Sequence, residues 1–237
     1  MAKETTVTLI ERIPRTSTIE SFRFTSEENI DFLPGQFLKL CFDRNNPHNQ
    51  ELNKYLSFSS SPTKKYIEVT KRLSSSTFSQ KLKSLQIKDE ITISAPMGNI
   101  VFKPEYKKIG FLIGGIGITP VISIMEYIQD THLDTDVLLI YSNRTEEEIA
   151  FRNILDNWRS QHKHFRIIYT LTDCTPQDPI CRGGRIDKDL VLAQEDDYAD
   201  RIIYLVGPPA MVTAMQNLCN EIGCIPDRVK IENFTGY

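Results

Sequence analysis

Over residues 5 to 103 the apolar positions recur at every second residue. VTLIERI, SFRFT, FLKLCF, YIEVTKRL and EITISAP each alternate in this way, and Pro, Asn, Asp or Ser turns separate them. Successive side chains of a strand point to opposite faces, so this rhythm predicts short antiparallel strands with one buried face. Their even spacing predicts a small barrel or sandwich rather than an open sheet. After FKPEYKK the rhythm changes to wholly apolar runs, IGFLIGG, DVLLIYS, FRIIYTLT and RIIYLVG, with stretches of helical period such as PVISIMEYIQ and EEEIAFRNILDNWRSQ between them. Apolar strands alternating with helices predict a parallel sheet covered on both faces. The expectation is therefore two domains, an antiparallel β-rich domain over residues 1–103 and an α/β parallel-sheet domain over 104–237.

Length agrees with this division, since 237 residues exceed a typical single core and suit two domains of about 100 to 130 residues each. A net charge of -3, from 28 basic and 31 acidic residues, supplies no chain-wide cationic field, so nucleic acid is not expected as a partner. Apolar content of 40% with 25% charged residues is that of a globular protein. The start, MAKETTVTLIERIPRT, has charges on both sides of its short apolar stretch and does not read as a signal peptide. With no run of 18 apolar residues, no membrane span is expected and the expected location is cytoplasmic. Cys41, Cys174, Cys181, Cys219 and Cys224 form no CxxC pair and no metal-ligand spacing, so they are expected to be free thiols, with no metal site.

Two stretches suit a phosphorylated ligand. In FLIGGIGITPVISIMEYI a buried strand runs into Gly114, Gly115 and Gly117, with Thr119 expected as helix N-cap and Pro120 at the first helical position. Glycine permits a tight turn and close backbone approach, and a helix start directs free N–H groups and a positive dipole end at the same place. A branched side chain at Gly117 would fill the space that a diphosphate needs. A second turn, Gly207, Pro208 and Pro209 in YLVGPPAMVTAMQNL, is expected to form a rigid wall at the carboxyl edge of the same sheet. In the first half, KYLSFSSSP (54–62) gathers a cation and hydroxyls on one strand, which suits an oxygen-rich anion or a solvated sheet edge. His48, His132, His162 and His164 lie in polar, turn-like or helix-end sequence without a nucleophile motif and are assigned no role.

PGQFLKL (34–40), KYLSFSSSP (54–62), APMGN (95–99), GGIGITP (114–120), YSNRTEEEIAF (141–151), GPPAM (207–211) and ENFTGY (232–237) occur in an order that resembles the ferredoxin-NADP reductase superfamily. The resemblance spans nearly the whole chain. It implies a flavin-binding Greek-key β-barrel followed by a nicotinamide-nucleotide α/β domain, with FAD and NAD(P)H as cofactors. It implies Lys54 facing the flavin diphosphate, Ser57 and Ser60 meeting ribityl and ring atoms, and Leu56 where the family has a stacking Tyr. Tyr55 is a further candidate contact, although strand alternation points it to the opposite face. In STFSQKLKSL, Ser76 falls on a family glycine and Ser79 either donates to phosphate or caps the helix.

On the nicotinamide side the resemblance implies Gly115, Gly117, Thr119, Arg144, Gly207 and Pro208 as nucleotide contacts, with Val206 where the family often has Cys. At the end of the chain, Glu232, Phe234 and Tyr237 are implied beside the flavin ring, and Ser57 and Glu232 become the candidate catalytic residues. Arg144, helped by Ser142, faces Glu146, Glu147 and Glu148 over the choice of nicotinamide. The glutamates, if turned inward, repel a 2′-phosphate, and NADH is the expected substrate. Hydride transfer needs the two carbons held in line rather than an acid or base, which accounts for the lack of a hydrolytic constellation. The implied protein is a reductase without a fused ferredoxin that passes electrons to a separate acceptor: an iron-sulfur protein, a flavodoxin, an oxygenase component, a free flavin or a metal chelate. The alternatives are a reductase that treats flavin as a diffusible substrate and a docking or electron-relay subunit that does not turn over.

Overall fold

The computed structural model describes residues 2–194 and 197–234. Its first sheet consists of β1 (Lys3–Pro14), β2 (Ile19–Thr25), β3 (Phe37–Cys41), β4 (Asn53–Ser57), β5 (Ile67–Arg72) and β6 (Glu90–Met97). The order is β4-β3-β6-β1-β2-β5, with neighbouring strands antiparallel. Just beyond β4, Phe58 forms an isolated bridge to Val69 of the other edge strand, β5, and Ser59 N–H donates to Glu68 O at 2.7 Å, so the sheet curls into a nearly closed barrel with a seam between β4 and β5. The alternating positions Val7, Leu9, Phe22, Phe24, Leu38, Leu40, Val69 and Ile93 fill its interior. Helix α1 (Thr77–Ser84) adds Phe78 and Leu82 to that core. On the other face of β5, Glu68 is buried and accepts from Arg15 Nη2 at 3.0 Å, Arg23 Nε at 2.8 Å and Ser59 Oγ at 3.2 Å, so the buried carboxylate is paired.

The second sheet contains β7 (Lys108–Gly114), β8 (Asp136–Asn143), β9 (Phe165–Leu171), β10 (Cys181–Gly183), β11 (Ile202–Gly207) and β12 (Val229–Asn233). All its pairings are parallel, in the order β10-β9-β8-β7-β11-β12. The connecting helices are α2 (Ile118–Asp130), α3 (Arg152–Gln161), α4 (Lys188–Leu192) and α5 (Pro209–Glu221). From β7 the chain proceeds to β8, β9 and β10 on one side, then returns to β11 and β12 on the other. The switch point of this open sheet thus lies between β7 and β11, where such folds bind ligands at the carboxyl ends. By their contacts the residues form two compact units, Met1–Phe102 with Thr119–His132, and Lys103–Ile118 with Leu133–Tyr237.

Two local expectations change, and two strands had no signal in the sequence. The stretch EEEIAFRNILDNWRSQ is not one helix: Glu146–Glu148 form a 3-10 turn, Phe151 takes φ 61°, and only Arg152–Gln161 is α-helical. Ile149, Ala150 and Phe151 are buried, so burial of that apolar triplet breaks the helical period. Strands β10 and β12 carried no clear pattern, since one has three residues and the other is half-buried throughout apart from an exposed end. The helix after the glycine turn begins earlier than expected. Gly115–Gly117 coil as a 3-10 turn and α2 starts at Ile118, so Thr119 lies inside its first turn and is not an N-cap. Cys41, Cys181, Cys219 and Cys224 are buried free thiols, and Cys174 is exposed.

Candidate functional site

The barrel seam concentrates positive charge. Alternation along β4 puts Lys54 and Leu56 on one face and Tyr55 and Ser57 on the other. Leu56 packs on the barrel core, whereas Tyr55 is 62% exposed, with the Phe37 ring edge-on at 5.7 Å and Lys39 Nζ 5.6 Å from its centroid. The structure therefore does not bring Tyr55 together with Lys54 and Leu56. Across the seam, Lys71 of β5 lies on the same face as the core residues Ile67 and Val69. Burial, with the neighbouring Lys54 charge, lowers the Lys71 ammonium below its usual pKa. Ser57 is buried at 5% exposure, and its hydroxyl makes no hydrogen bond among the described residues.

Ser60 is more committed. Its hydroxyl accepts from Glu68 N–H at 2.9 Å, and its carbonyl accepts from Ser123 Oγ of α2 at 2.7 Å. Glu126 of α2 accepts from Ser61 N–H at 2.7 Å, and Lys64 reaches Asp130 at 2.9 Å. Burial pushes the Glu126 carboxyl above its ordinary range. Helix α2 thereby latches the segment that follows β4, a role that sequence reading missed because it depends on residues more than 60 positions apart.

At the start of α1, Ser76 is the N-cap, with its hydroxyl accepting from Ser79 N–H at 3.3 Å. Ser79 stands one turn inside, fully buried, and its hydroxyl meets those of Ser76 at 3.1 Å and Ser74 at 3.3 Å. The capping role anticipated for Ser79 thus belongs to Ser76. Three hydroxyls and a helix start follow directly on the strand that carries Lys71, an arrangement suited to anionic oxygens.

In the parallel sheet the two predicted turns meet. A Cβ on Gly117 would stand 2.5 Å from Val206 O and 3.0 Å from Gly207 N, so this glycine allows two backbones to touch. The space it preserves is occupied by the protein itself, which corrects the expectation that a side chain here would intrude on ligand. Gly115 is the glycine facing open space: its φ is 52° and a Cβ there would meet nothing within 4 Å. Tyr141, fully buried, donates its hydroxyl to Gly115 O at 2.9 Å and fixes the turn. A tyrosine inside an otherwise aliphatic strand was the available signal, since a buried phenol requires a partner.

Around these turns, Gly207 O accepts from Phe234 N–H at 2.9 Å, and Glu232 of β12 lies opposite Val206 of β11. Burial pushes the Glu232 carboxyl up to about 7. Pro208 is the exposed N-cap of α5, with Pro209 at its first position. Tyr237 lies outside the described residues. At the end of β8, Asn143 is buried with both carboxamide atoms unpaired, a group that costs about 1–3 kcal/mol unless water or ligand satisfies it. Arg144 is exposed, with Nε 4.0 Å from Asp173 Oδ2. Glu146 is turned away to accept from the N–H groups of Gln177 and Asp178 at 2.7 and 3.2 Å, and Glu147 hydrogen-bonds the Thr145 side chain.

Residues 4–102 match the family described as Oxidoreductase FAD-binding domain, and residues 111–217 match Oxidoreductase NAD-binding domain. The chain is 31% identical over 141 residues to NADH-cytochrome b5 reductase 1 of Dictyostelium discoideum, covering 58% of this chain and 49% of that protein. It is 27% identical over 213 residues to a flavohemoprotein of Bacillus subtilis, covering 86% and 52%. It spans about half the length of these curated relatives. Among solved structures, it superposes on a ferredoxin NADP+ reductase from Neisseria gonorrhoeae with bound FAD and NADP at TM-score 0.80 and 21% identity, covering 98% and 99% of the two chains. The Amycolatopsis cytochrome P450 reductase GcoB gives TM-score 0.84 at 21% identity, covering 99% of this chain and 71% of that one. The chain belongs to the oxidoreductases that join an FAD-binding domain to an NAD-binding domain, and it has the fold of a ferredoxin NADP+ reductase.

Proposed function

We propose that the protein is an NADH-dependent flavoprotein reductase that holds FAD as a prosthetic group and delivers electrons to a separate acceptor. The observation that carries this reading is the presence of an FAD-binding and an NAD-binding domain in one chain. When bound, FAD supplies a ring that accepts a hydride from the nicotinamide and releases the electrons to the acceptor. Lys54 and the N-terminus of α1 hold the flavin diphosphate, and Leu56 covers the ring by dispersion where an aromatic would stack. Ser57, with its free hydroxyl, orients the ring as a hydrogen-bond donor. Gly115 and the 3-10 turn give the nicotinamide diphosphate access to backbone N–H groups. Glu232, protonated for part of the time near neutral pH, holds or releases a proton at its carboxyl oxygen beside the Gly207 turn.

NADH is the favoured donor because Arg144 already faces Asp173; a carboxylate beside that cation opposes a 2′-phosphate and leaves a 2′-hydroxyl unaffected. The named relatives include NADH-cytochrome b5 reductases and a terephthalate dioxygenase reductase component, so a haem protein or an oxygenase component is the acceptor class that fits best. Leu56 favours a second reading, in which the missing aromatic leaves flavin free to exchange as a substrate. The absorption spectrum of the purified protein tests both readings. A yellow protein that bleaches anaerobically with NADH supports the first, a colourless one that oxidises NADH only with added flavin supports the second, and a protein inert to both overturns them.

A further inference from the structure

The C-terminal end of α5 brings two thiols together, away from both nucleotide turns. Gly223 takes φ 80°, its N–H donates to Asn220 O at 3.2 Å, and Cys224 N–H donates to Cys219 O at 2.9 Å. These two hydrogen bonds form a Schellman cap, in which the residue after a left-handed glycine folds back onto the last turn of the helix. The side chains that such a cap sets against each other are here Cys219 and Cys224. A backbone hydrogen bond of that length between two residues brings their Cα atoms into the range of about 4.4–6.8 Å that a disulfide spans. Both are free thiols in one apolar cluster with Tyr198, Leu218 and Val229, at 2% and 7% exposure. Hydrogen bonding between them draws the Cys224 thiol below its ordinary pKa against the effect of burial, and pushes that of Cys219 up.

We propose that Cys219 and Cys224 are a modification site, a dithiol that a hydroperoxide converts into a disulfide across the cap of α5. Cys224 stands between the exposed Gly223 and Ile225, so it meets the oxidant, and Cys219 behind it resolves the product. The Cys224 sulfur attacks the O–O bond of hydrogen peroxide, an S–O bond forms, and the departing oxygen leaves as water with the thiol proton. Cys219 sulfur then attacks that sulfenyl sulfur, the S–S bond forms as the S–O bond breaks, and a second water leaves with the Cys219 proton. Two sulfurs lose two electrons and one peroxide gains them. Because the resolving thiol is already in place, the sulfenic acid is consumed before it can be oxidised further. The native cap supplies the geometry, so the bond forms without unwinding the helix. It ties α5, which begins at the Gly207–Pro208 turn, to the segment leading into β12.

Peroxide treatment of the native full chain, followed by alkylation of the remaining thiols and tryptic mass mapping, tests this. Residues 202–228 form one tryptic peptide that holds both cysteines. In the wild type this peptide should lose two hydrogens and both alkylation sites, and dithiothreitol should restore them. The oxidised protein should melt higher than the reduced one, because the bond closes a loop in the unfolded chain. In Cys219→Ala the sulfenic acid on Cys224 has no resolving partner, so dimedone should label it there and not in the wild type. If both thiols stay open to alkylation under conditions that oxidise the exposed Cys174, the site is overturned. A disulfide that forms only after urea unfolding, or one that lowers the melting temperature, overturns it as well, since the cap would then not hold the sulfurs in bonding geometry.

Discussion

The two proposed anion sites of this chain are built from opposite materials. In the barrel the proposed flavin site is made of side chains: Lys54 at the seam, with Ser74, Ser76 and Ser79 at the start of α1. In the parallel sheet it is met by backbone, since Gly115 opens onto free space while Gly117 lets one turn press against Val206 and Gly207. A site made of side chains loses affinity gradually as charges are removed and responds to salt. One made of closely packed backbone depends on a geometry that a single added carbon destroys. The difference separates variants that fold and bind poorly from variants that do not fold.

Gly117→Val is the sharpest way to break this comparison. Its Cβ would meet the Val206 carbonyl at 2.5 Å, and neither strand β11 nor the glycine turn can move without disturbing the sheet core. Destabilisation of about 3 kcal/mol or more is expected, read as a large drop in the urea midpoint. Lys54→Met in the barrel should leave that midpoint nearly unchanged. A Gly117→Val protein as stable as the wild type would show that the two turns are not in contact.

Glu232 sharpens the comparison next, because it is a half-buried titratable side chain beside the backbone-built site. Its folded-state pKa of about 7 lies above the ordinary glutamate value of 4.5, so between those pH values the native protein holds a proton that the unfolded chain has released. Stability therefore falls as pH rises from about 4.5 to about 7 and levels off above that. After allowing for partial solvent access, the loss is on the order of 1–2 kcal/mol. Glu232→Gln should remove this contribution, flattening the dependence of the melting temperature on pH over the same interval. An identical slope in the variant would locate the effect in another group.

Gly115→Ala tests the same turn without a clash. With φ at 52° and open space beyond, alanine costs about 1–2 kcal/mol of backbone strain. The protein should stay folded, and binding of NADH should weaken while FAD affinity holds. Equal weakening of both ligands would erase the distinction between the two sites.

What could be read beforehand follows the same division. Alternating positions such as Val7, Leu9 and Phe22 announced the barrel strands, and apolar runs such as FLIGG announced the parallel ones, because burial of one face or two is written locally. Thr119 was misplaced as a cap because Gly115–Gly117 themselves coil into a 3-10 turn. Gly117 was rightly singled out and wrongly explained, since its constraint comes from Val206, 89 residues away in the sequence. The pairing of α2 with Ser60 and Ser61 was hidden for the same reason.

The smallest expected effect concerns the choice of nicotinamide, where side chains operate inside the backbone-built half. The three consecutive glutamates looked like the obvious barrier to a 2′-phosphate, yet Glu146 is spent on the N–H groups of Gln177 and Asp178, and Glu147 hydrogen-bonds Thr145. Asp173, 4.0 Å from Arg144, is the acid placed to act on the cation that would recognise the phosphate. Both side chains are well exposed, at 73% and 58%, so water and salt weaken the pair. Exposed ion pairs contribute about 0.2–1 kcal/mol, which bounds the shift in the NADH-to-NADPH specificity ratio at about fivefold. Asp173→Asn should move that ratio toward NADPH by up to this amount, more at low ionic strength than at high, with kcat/KM for NADH unchanged. If the ratio stays fixed while Glu146→Gln moves it, the preference belongs to the glutamate turn and Arg144 takes no part.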